Sequence, residues 1–316
     1  MNLNKYGLNK VINASGRMTI LGVSTLSPAV LEGFEMGGGH YFEMAKLYEQ
    51  AGKVVAEHCK AESAIITNSA SASLALAIAG LITKDDPYAV EHLHKVAAQL
   101  PNEILIMKGH NVDYGAPIET MVYLAGARLK EVGYANGCKT SHIEAALSDS
   151  TIGVLYVKSH HCVQKNMPSL EEVSALCRER GIPLIVDAAA EEKIDGYSDL
   201  ADMVAFSGSK AIEGPSSGIL AGKKQYIHYA TLHRAYIGRV MKVGKETIFG
   251  LLAALDEYGS KTLSAEEQLE ILGKLERLND LKGVQVVIKQ DEAGREIYRG
   301  RTVSYTHLTL PTICSV

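Results

Sequence analysis

Two short apolar runs in this sequence end in charged residues, and they constrain the fold more than any other feature. Residues 183–186 are followed by Asp187, and residues 203–206 lead through Ser207-Gly-Ser to Lys210. Runs of this length with sharp ends are typical of buried strands. The interval between Asp187 and Lys210 accommodates one loop or helix and one further strand. Two neighbouring strands of an α/β sheet would then present a carboxylate and an amine to one crevice.

This acid–amine pair has a specific chemical use. A carboxylate at the end of an apolar strand is costly unless a cation or several hydrogen-bond donors receive it. Pyridoxal phosphate (PLP) needs a lysine amine, here Lys210, for its Schiff base, and an acid, here Asp187, to keep its pyridine nitrogen protonated. Taken singly, Lys210 could be an ordinary surface lysine, and Asp187 a helix cap or part of a structural salt bridge. Together the two segments favour a PLP site.

Short apolar runs alternate with helical patterns along the rest of the chain. Further strands are predicted at residues 64–67, 104–107, 127–132 and 152–157. Helices are predicted at residues 43–59, 74–82, 227–258 and 267–281, with capping boxes opened by Ser141 and Ser169. Gly37-Gly-Gly39 lacks the strand and the spacing of a nucleotide loop, so we interpret it as a flexible turn. The alternation predicts an α/β fold with a mostly parallel sheet.

A serine-rich turn follows the first of these strands. Asn68-Ser-Ala-Ser-Ala-Ser73 opens an apolar helix, where small hydroxyl residues cap free N–H groups and, with the helix dipole, form an anion site. A plain N-cap would account for one serine, whereas three serines alternating with alanine allow the close approach that a phosphate needs. Ser207 is a second phosphate candidate by the same reasoning.

Several long motifs occur in the order found in one known family. They are Val11-Ile-Asn-Ala-Ser-Gly-Arg-Met18, Lys108-Gly-His-Asn111, Lys158-Ser-His-His-Cys-Val-Gln-Lys165, Val186-Asp-Ala-Ala-Ala-Glu-Glu192 and Phe206-Ser-Gly-Ser-Lys-Ala-Ile-Glu-Gly-Pro215. From about residue 6 to about residue 257 the chain resembles the D-glucosaminate-6-phosphate ammonia-lyase family, in the selenocysteine synthase-like branch of fold-type I PLP-dependent enzymes. The resemblance implies the large domain of the aspartate aminotransferase-like fold, followed by a small carboxyl-terminal α/β domain.

The resemblance also implies roles around the cofactor. The cofactor phosphate is assigned to Ser69, Ala70 and Ser71. His110 is expected to stack on the pyridine ring, although a lone histidine in a loop is more often a surface or supporting residue. His160 and its neighbours are expected near the phenolic oxygen of the cofactor. Adjacent histidines on an extended chain point to opposite sides, so we expect no metal site at His160 and His161.

Basic residues cluster between residues 237 and 245, at Arg239, Lys242 and Lys245. The cluster is either a solvated basic face or a cradle for a phosphorylated, carboxylated substrate. Arg17 is a further candidate for the substrate carboxylate. The sequence alone leaves both interpretations of the cluster open.

The composition excludes several classes of protein. With 47% hydrophobic and 22% charged residues, the chain has the balance of a globular protein. A net charge of −4 without a lysine/arginine block argues against nucleic-acid binding. The amino terminus lacks an apolar leader and no run approaches about 18 apolar residues, so we expect a cytoplasmic protein with no membrane span. The five scattered cysteines are expected to be reduced thiols.

The domain organisation is predicted from the same patterns. An amino-terminal arm is expected at residues 1–15, a PLP-binding large domain at 16–258, and the start of a truncated small domain at 259–302. The small domain should contain a strand at residues 283–288 and a charged hairpin near residues 291–294. Residues 303–316 lack the periodicity of a helix or of a strand pair. We interpret them as a non-native tail resembling translated sequencing-adapter read-through, and we expect the truncation to affect closure over a substrate.

These features predict a PLP-dependent ammonia-lyase that carries out α,β-elimination on D-glucosaminate 6-phosphate, with ammonia and 2-keto-3-deoxygluconate 6-phosphate as products. The PLP and lysine parts follow from residue chemistry, and the substrate follows from the resemblance. Two alternatives stay open: an L-seryl-tRNA selenium transferase-like enzyme, which would want a tRNA-binding domain and a basic surface, and a catalytically silent PLP-binding fragment. The resemblance also implies a homodimer or a larger even homo-oligomer.

Overall fold

The computed structural model describes residues 3–13, 16–159, 161–259, 263–290, 298–304 and 312–315. The chain divides into two compact units, one formed by Leu26–Tyr258 and the other by Met1–Thr25 with Gly259–Val316. The four-part domain division drawn from the sequence stays a prediction. Within the described ranges, no helix combines the length and the apolar character needed to cross a membrane.

The larger unit is built on one seven-stranded sheet. Its strands are β1 Ser63–Thr67, β2 Glu103–Met107, β3 Arg128–Val132, β4 Thr151–Val157, β5 Leu184–Asp187, β6 Met203–Ser207 and β7 Gly218–Gly222. In space they follow the order β1-β7-β6-β5-β4-β2-β3. The strands β6, β5, β4, β2 and β3 pair in parallel, whereas β7 is antiparallel to both of its neighbours, β6 and β1. The predicted mostly parallel α/β sheet is therefore confirmed, as are all six strands predicted in this unit.

Helices cover both faces of this sheet. They are α1 Pro28–Gly39, α2 Met44–His58, α3 Ala70–Thr83, α4 Pro87–Glu91, α5 Leu93–Val96, α6 Glu119–Leu124, α7 Thr140–Ala146, α8 Leu170–Arg180, α9 Lys224–Leu232 and α10 Lys245–Glu257. Alternate residues of each central strand enter different cores: Val186 and Phe206 join one core, and Ile185 and Ala205 join the other. Because β5 and β6 are buried on both faces, their sequences are continuous apolar runs rather than alternating ones.

The glycine run at residues 37–39 is helical, so the predicted flexible turn is wrong. These glycines form the last turn of α1. A Cβ at Gly33 would lie 2.9 Å from the carbonyl oxygen of Phe249, and one at Gly37 would lie 2.7 Å from the Cα of Glu246. The missing side chains therefore let α1 and α10 approach more closely than other residues would allow.

The predicted single helix at residues 227–258 is also wrong. The chain forms α9, two 3-10 turns at His233–Ala235 and Ile237–Met241, and then α10. Gly238 lies against the carbonyl oxygen of His233, which a Cβ would approach to 2.8 Å. Gly244 is the extended N-cap residue of α10. The helix is interrupted near these two glycines, and the spacing of the apolar residues does not predict the interruption.

Of the two predicted capping boxes in this unit, one is confirmed. The Ser169 hydroxyl accepts the amide N–H of Glu172, whose carboxylate accepts the Ser169 N–H at 2.7 Å. The box at Ser141 is wrong, because α7 begins at Thr140 and Ser141 therefore lies inside the helix rather than before it. Its N-cap is Lys139, whose N–H donates to Nδ1 of His142.

The smaller unit contains 3-10 turns at Leu3–Tyr6 and Thr19–Leu21, helix α11 at Ala265–Gly273, and a third 3-10 turn at Lys274–Asp280. The predicted helix at 267–281 is thus α only in its first part. Three antiparallel strands, β8 Val284–Gln290, β9 Tyr298–Ser304 and β10 Thr312–Ser315, form a sheet in the order β10-β9-β8.

Two predictions near the carboxyl terminus fall partly or wholly beyond the described residues. The hairpin near residues 291–294 lies outside them. No strand pair was predicted in 303–316, yet β10 pairs with β9 across part of that range. Residues 305–311 and 316 lie outside the described residues, and the non-native origin of this tail stays a prediction.

Candidate active site

The carboxyl ends of the parallel strands gather the predicted site residues at one edge of the large sheet. Strand β1 runs in the same direction as β6, because β7 is antiparallel to both. The last residues of β1, β2, β5 and β6 and the segments that follow them therefore lie at this edge, and they carry the serine-rich turn, His110, Asp187 and Lys210. This edge is where open α/β sheets bind ligands. His160, expected in the same place, lies outside the described residues.

Asp187 is a buried carboxylate at the end of β5, with 7% of its surface exposed. Its Oδ1 accepts the N–H of Ala189 at 3.1 Å. Burial raises the pKa of Asp187, while this hydrogen bond and the positive charge of Lys210 lower it. The acid and the amine thus act on each other electrostatically, which is the relation expected for a shared crevice.

The turn that carries Lys210 is closed at its base by backbone hydrogen bonds. The N–H of Gly208 donates to the carbonyl of Ser217 at 2.9 Å, and the N–H of Gly214 donates to the carbonyl of Gly208 at 2.8 Å. A Cβ at Gly208 would collide with the Ser217 hydroxyl. Ser207, the second phosphate candidate, has its hydroxyl 3.2 Å from that of Ser209. The loop of residues 208–217 is therefore a tight connection between β6 and β7.

The start of α3 lies at the edge next to this loop. Ser69 is the N-cap, and its Oγ accepts the N–H of Ala72 at 3.1 Å. The Ser71 hydroxyl lies 3.2 Å from the phenol oxygen of Tyr114. A Cβ at Gly218 would overlap the backbone of Ser69, so only glycine lets β7 approach the helix start this closely. Two of the predicted serines thus already have partners, and Ala70 and Ser71 begin a 14-residue helix whose first N–H groups suit an anion.

Sequence reasoning missed Tyr114 and Gly218. Tyr114 belongs to the polar stretch after β2, where it could have been found as a hydroxyl near the phosphate candidates. Burial raises the pKa of Tyr114. Gly218 left no signal of its own, because its role depends on the distance between β7 and α3.

His110 is fully buried in a 3-10 turn after β2. Its Nδ1 accepts the N–H of Val157 at 3.2 Å, and its ring meets Tyr156 edge-on at 4.7 Å between centroids. Burial lowers the pKa of His110 to about 4, so the ring is neutral at pH 7 with its proton on Nε2. That Nε2 is buried and has no hydrogen-bond partner in the part of the chain that the structure describes. The stacking of His110 on a cofactor stays a prediction.

An ion pair anchors the loop that follows Asp187. Lys158 Nζ lies 3.2 Å from Glu191 Oε2 and 5.3 Å from the ring centroid of Tyr197. The Lys158 N–H donates to the Asp187 carbonyl at 2.8 Å. The Lys158 motif therefore supports the strand end that carries the acid.

The predicted basic cluster separates into two parts. Arg239 and Lys242 are exposed and line a cavity beside β1. Lys245 instead donates hydrogen bonds to the carbonyl oxygens of Gly37 and Gly38 at the end of α1. Arg17 is exposed in the smaller unit. The substrate-binding roles of all four residues stay predictions.

The residues at the sheet edge fit PLP. The Asp187 carboxylate has the Ala189 N–H as its hydrogen-bond donor within the described ranges, so a pyridinium N–H would supply a second one in a dry environment. The amino end of α3, approached closely by β7 at Gly218, offers N–H groups to a phosphate. Lys210 would supply the amine. The four cysteines with described side chains, Cys59, Cys138, Cys162 and Cys177, are buried free thiols.

The family model described as "SelA: L-seryl-tRNA selenium transferase" matches residues 45–284. This chain belongs to the SelA family. The D-glucosaminate-6-phosphate ammonia lyase of Salmonella typhimurium (strain 14028s) is 41% identical over 94% of this chain and 80% of that protein. The 5'-C-glycyluridine monooxygenase-decarboxylase of a Streptomyces species is 36% identical over 95% of this chain and 76% of that protein.

Solved structures share the fold of this chain. A structure of D-glucosaminate-6-phosphate ammonia-lyase superposes with a TM-score of 0.88 at 39% identity, covering 96% of this chain and 83% of the other. Aspartate aminotransferase from Thermotoga maritima superposes with a TM-score of 0.56 at 17% identity, covering 90% and 76%. The predicted resemblance and the fold-type I architecture are confirmed.

Proposed function

We propose that this chain is a PLP-dependent ammonia-lyase that converts D-glucosaminate 6-phosphate to 2-keto-3-deoxygluconate 6-phosphate and ammonia. The observation that carries the proposal is the 41% identity to the Salmonella ammonia lyase over 94% of the chain. The buried Asp187, within electrostatic reach of Lys210, supports it independently. The reaction is an α,β-elimination, and it needs a base at Cα of the substrate.

The cofactor is assigned to residues at the carboxyl edge of the sheet. Lys210 would hold PLP covalently, and Asp187 would pair with the pyridine nitrogen. The phosphate would be received by Ser69, Ala70 and Ser71 at the start of α3, with Ser207 and the Tyr114 hydroxyl nearby. His110 and His160 complete the predicted cofactor contacts.

When bound, PLP supplies an electron sink for negative charge that develops at Cα. Lys210, once the substrate amine had displaced it from the cofactor, would be the base that removes the proton from Cα. Asp187 would keep the proton on the ring nitrogen and so favour the flow of charge away from Cα. The Cα proton and the β-hydroxyl would together leave as one water, and the resulting enamine would tautomerise and be hydrolysed, which consumes one water and gives ammonia and the keto acid.

The setting of the enzyme is part of the proposal. We expect a small-molecule, phosphorylated amino sugar acid as substrate, a cytoplasmic location, and a homodimer or larger even homo-oligomer. Binding of nucleic acid or of a membrane is not part of it, because the net charge is −4 and the described helices offer no membrane span.

The Streptomyces relative supports a second candidate, oxidative decarboxylation of a glycyl-nucleoside, because it is 36% identical over 95% of the chain. The L-seryl-tRNA selenium transferases are more distant, at 25% identity over 79% of the chain for the Nitratidesulfovibrio vulgaris enzyme. A catalytically silent PLP-binding fragment is the third alternative.

One series of measurements separates these candidates. Absorbance spectra of the purified protein with and without added PLP test cofactor binding. Ammonia release is then measured with D-glucosaminate 6-phosphate and with unphosphorylated D-glucosaminate, and oxygen uptake with 5'-C-glycyluridine. We expect PLP-dependent ammonia release from the phosphorylated acid. Oxygen uptake with the nucleoside, tRNA retention in a filter-binding assay, or a yellow protein that releases no ammonia would each reject the proposal.

A further inference from the structure

A cavity of about 560 Å³ lies beside β1, outside the group of residues that would hold the cofactor. Its walls come from α2, from the outer edge of β1, and from the 3-10 turns between α9 and α10. The volume is within the range of small-molecule sites. Apolar side chains form much of the lining, namely Met44, Ile65, Ile66, Leu76 and Met241.

Arg234 is the distinctive residue of this cavity. Its guanidinium carbon lies 4.2 Å from the centroid of the Tyr48 ring, in a cation–π arrangement. The Tyr48 hydroxyl donates to the Val243 carbonyl at 3.2 Å, which fixes the ring. Arg234 is half-buried, and burial lowers the pKa of its guanidinium, which nevertheless stays protonated at neutral pH. Across the ranges covered by the structure, it pairs with no carboxylate and donates no hydrogen bond.

A half-buried guanidinium with no acceptor is an anion site by its chemistry. Arginine presents five N–H donors in a planar fork that matches phosphate and carboxylate oxygens. The apolar walls reduce dielectric screening, so an anion entering the cavity would be attracted more strongly than at the surface. Arg239 and Lys242, also in the lining but exposed, add positive charge. We propose that Arg234, held in place by Tyr48, binds the phosphate group of the substrate in this cavity.

The topology favours the phosphate over the substrate carboxylate. Strand β1 is two positions from β6 in the sheet, so its end is about 10 Å from the end of the strand that leads to Lys210. The carboxylate is attached to the carbon that reacts, and must remain near Lys210. The phosphate, at the other end of an extended six-carbon chain, reaches about 7 to 8 Å further at ordinary bond lengths. This inference rests on the proposed substrate, and its test is designed to stand apart from the proposed activity.

The test uses gluconate 6-phosphate, which has the carboxylate and the phosphate but no amine, and gluconate, which lacks the phosphate. Their affinities for the PLP-loaded protein are measured by titration calorimetry. Arg234→Gln is expected to weaken binding of gluconate 6-phosphate about 10- to 100-fold, because hydrogen bonds to a charged group are lost, and to leave the affinity for gluconate unchanged. Arg178→Gln, at an exposed position on α8, is the matched control and should change neither affinity.

Two substitutions of Tyr48 test whether its ring positions Arg234 for binding or only supports the fold. Tyr48→Phe keeps the ring face and should retain most of the affinity for gluconate 6-phosphate, whereas Tyr48→Leu should lose it. In the unaltered protein, gluconate 6-phosphate should protect Arg234 from modification by phenylglyoxal, as followed by peptide mass spectrometry. This second measurement does not depend on any variant folding.

Three results would overturn the inference: wild-type affinity in Arg234→Gln, an equal loss for both ligands, or no protection of Arg234. An equal loss would assign Arg234 to the carboxylate. If no amino sugar acid releases ammonia while Arg234 still determines affinity for the phosphorylated ligand, the proposed activity fails and the phosphate site stands.

Discussion

Replacing Gly218 by alanine tests whether the close approach of β7 to α3 forms the cofactor site. An ideal Cβ at Gly218 would lie 2.6 Å from the amide nitrogen of Ala70 and nearer still to the carbonyl of Ser69. Ordinary contacts start near 3.5 Å, so the helix start must move by about 1 to 1.4 Å. Overpacking of this kind costs about 2 kcal/mol, which corresponds to a fall in Tm of about 4 to 8 °C.

The same movement displaces the N–H groups that would receive the PLP phosphate. Loss of their hydrogen bonds to a charged group should weaken PLP binding by about 10- to 100-fold. Thermal unfolding of the PLP-free protein measures the first effect, and an absorbance titration with PLP measures the second. The control is Gly38→Ala in α1, where a Cβ meets nothing within 4 Å. It should stabilise the protein by about 0.5 to 1 kcal/mol and leave PLP affinity unchanged.

The two effects must occur together if the reasoning is right. If Gly218→Ala had the same Tm as the wild type, the start of α3 would be able to move without a loss of stability. A protein that is destabilised but binds PLP normally would show that the phosphate lies elsewhere.

Three further predictions follow from the site and the helix ends. Lys210→Ala should abolish PLP-dependent visible absorbance and ammonia release, while the exposed Lys193→Ala should keep both; retained absorbance in Lys210→Ala would refute the assignment. In the folded protein the pKa of His110 is about 4, below its ordinary value of 6.5. The neutral, buried His110 therefore contributes about 3 kcal/mol to the free energy of unfolding above pH 6.5, and this contribution is lost as the pH falls towards 4. When unfolding by urea is measured between pH 6.5 and 4, the free energy of unfolding of His110→Phe should fall less steeply with pH than that of the wild type. Equal slopes would show that burial of His110 does not lower its pKa. In the same assay, Ser169→Ala should lower the free energy of unfolding by about 1 kcal/mol and Ser141→Ala by less than about 0.5 kcal/mol, because Ser169 is the one of these two serines that caps a helix. Equal losses would disprove this.

Much of the fold could be predicted because burial of the sheet determines the pattern of apolar residues in its strands. Strands covered on both faces must be apolar throughout, and β5 and β6 were found for that reason. The capping box of α8 was found because its two hydrogen bonds involve residues three positions apart. Such signals are local, and they survive without knowledge of tertiary structure.

The failures involve glycines and contacts between distant segments. Helix α1 escaped notice because its glycines disfavour a helix locally and are explained only by the approach of α10. Lys245 looked like a substrate ligand within a basic cluster, whereas its amine reaches the end of α1. Arg234 was overlooked because its significance depends on Tyr48, which lies far away in sequence.

The antiparallel strand β7 has a consequence for how the protein is made. Its pairing with β6 is local, across a short loop, but among the strands that the structure describes β1 pairs with β7 alone. On the ribosome β1 is synthesised early and must wait for most of the larger unit to emerge before it acquires that neighbour. A nascent chain released before Gly218 would therefore keep an unpaired β1 edge, and the start of α3 would lack the glycine that packs against it.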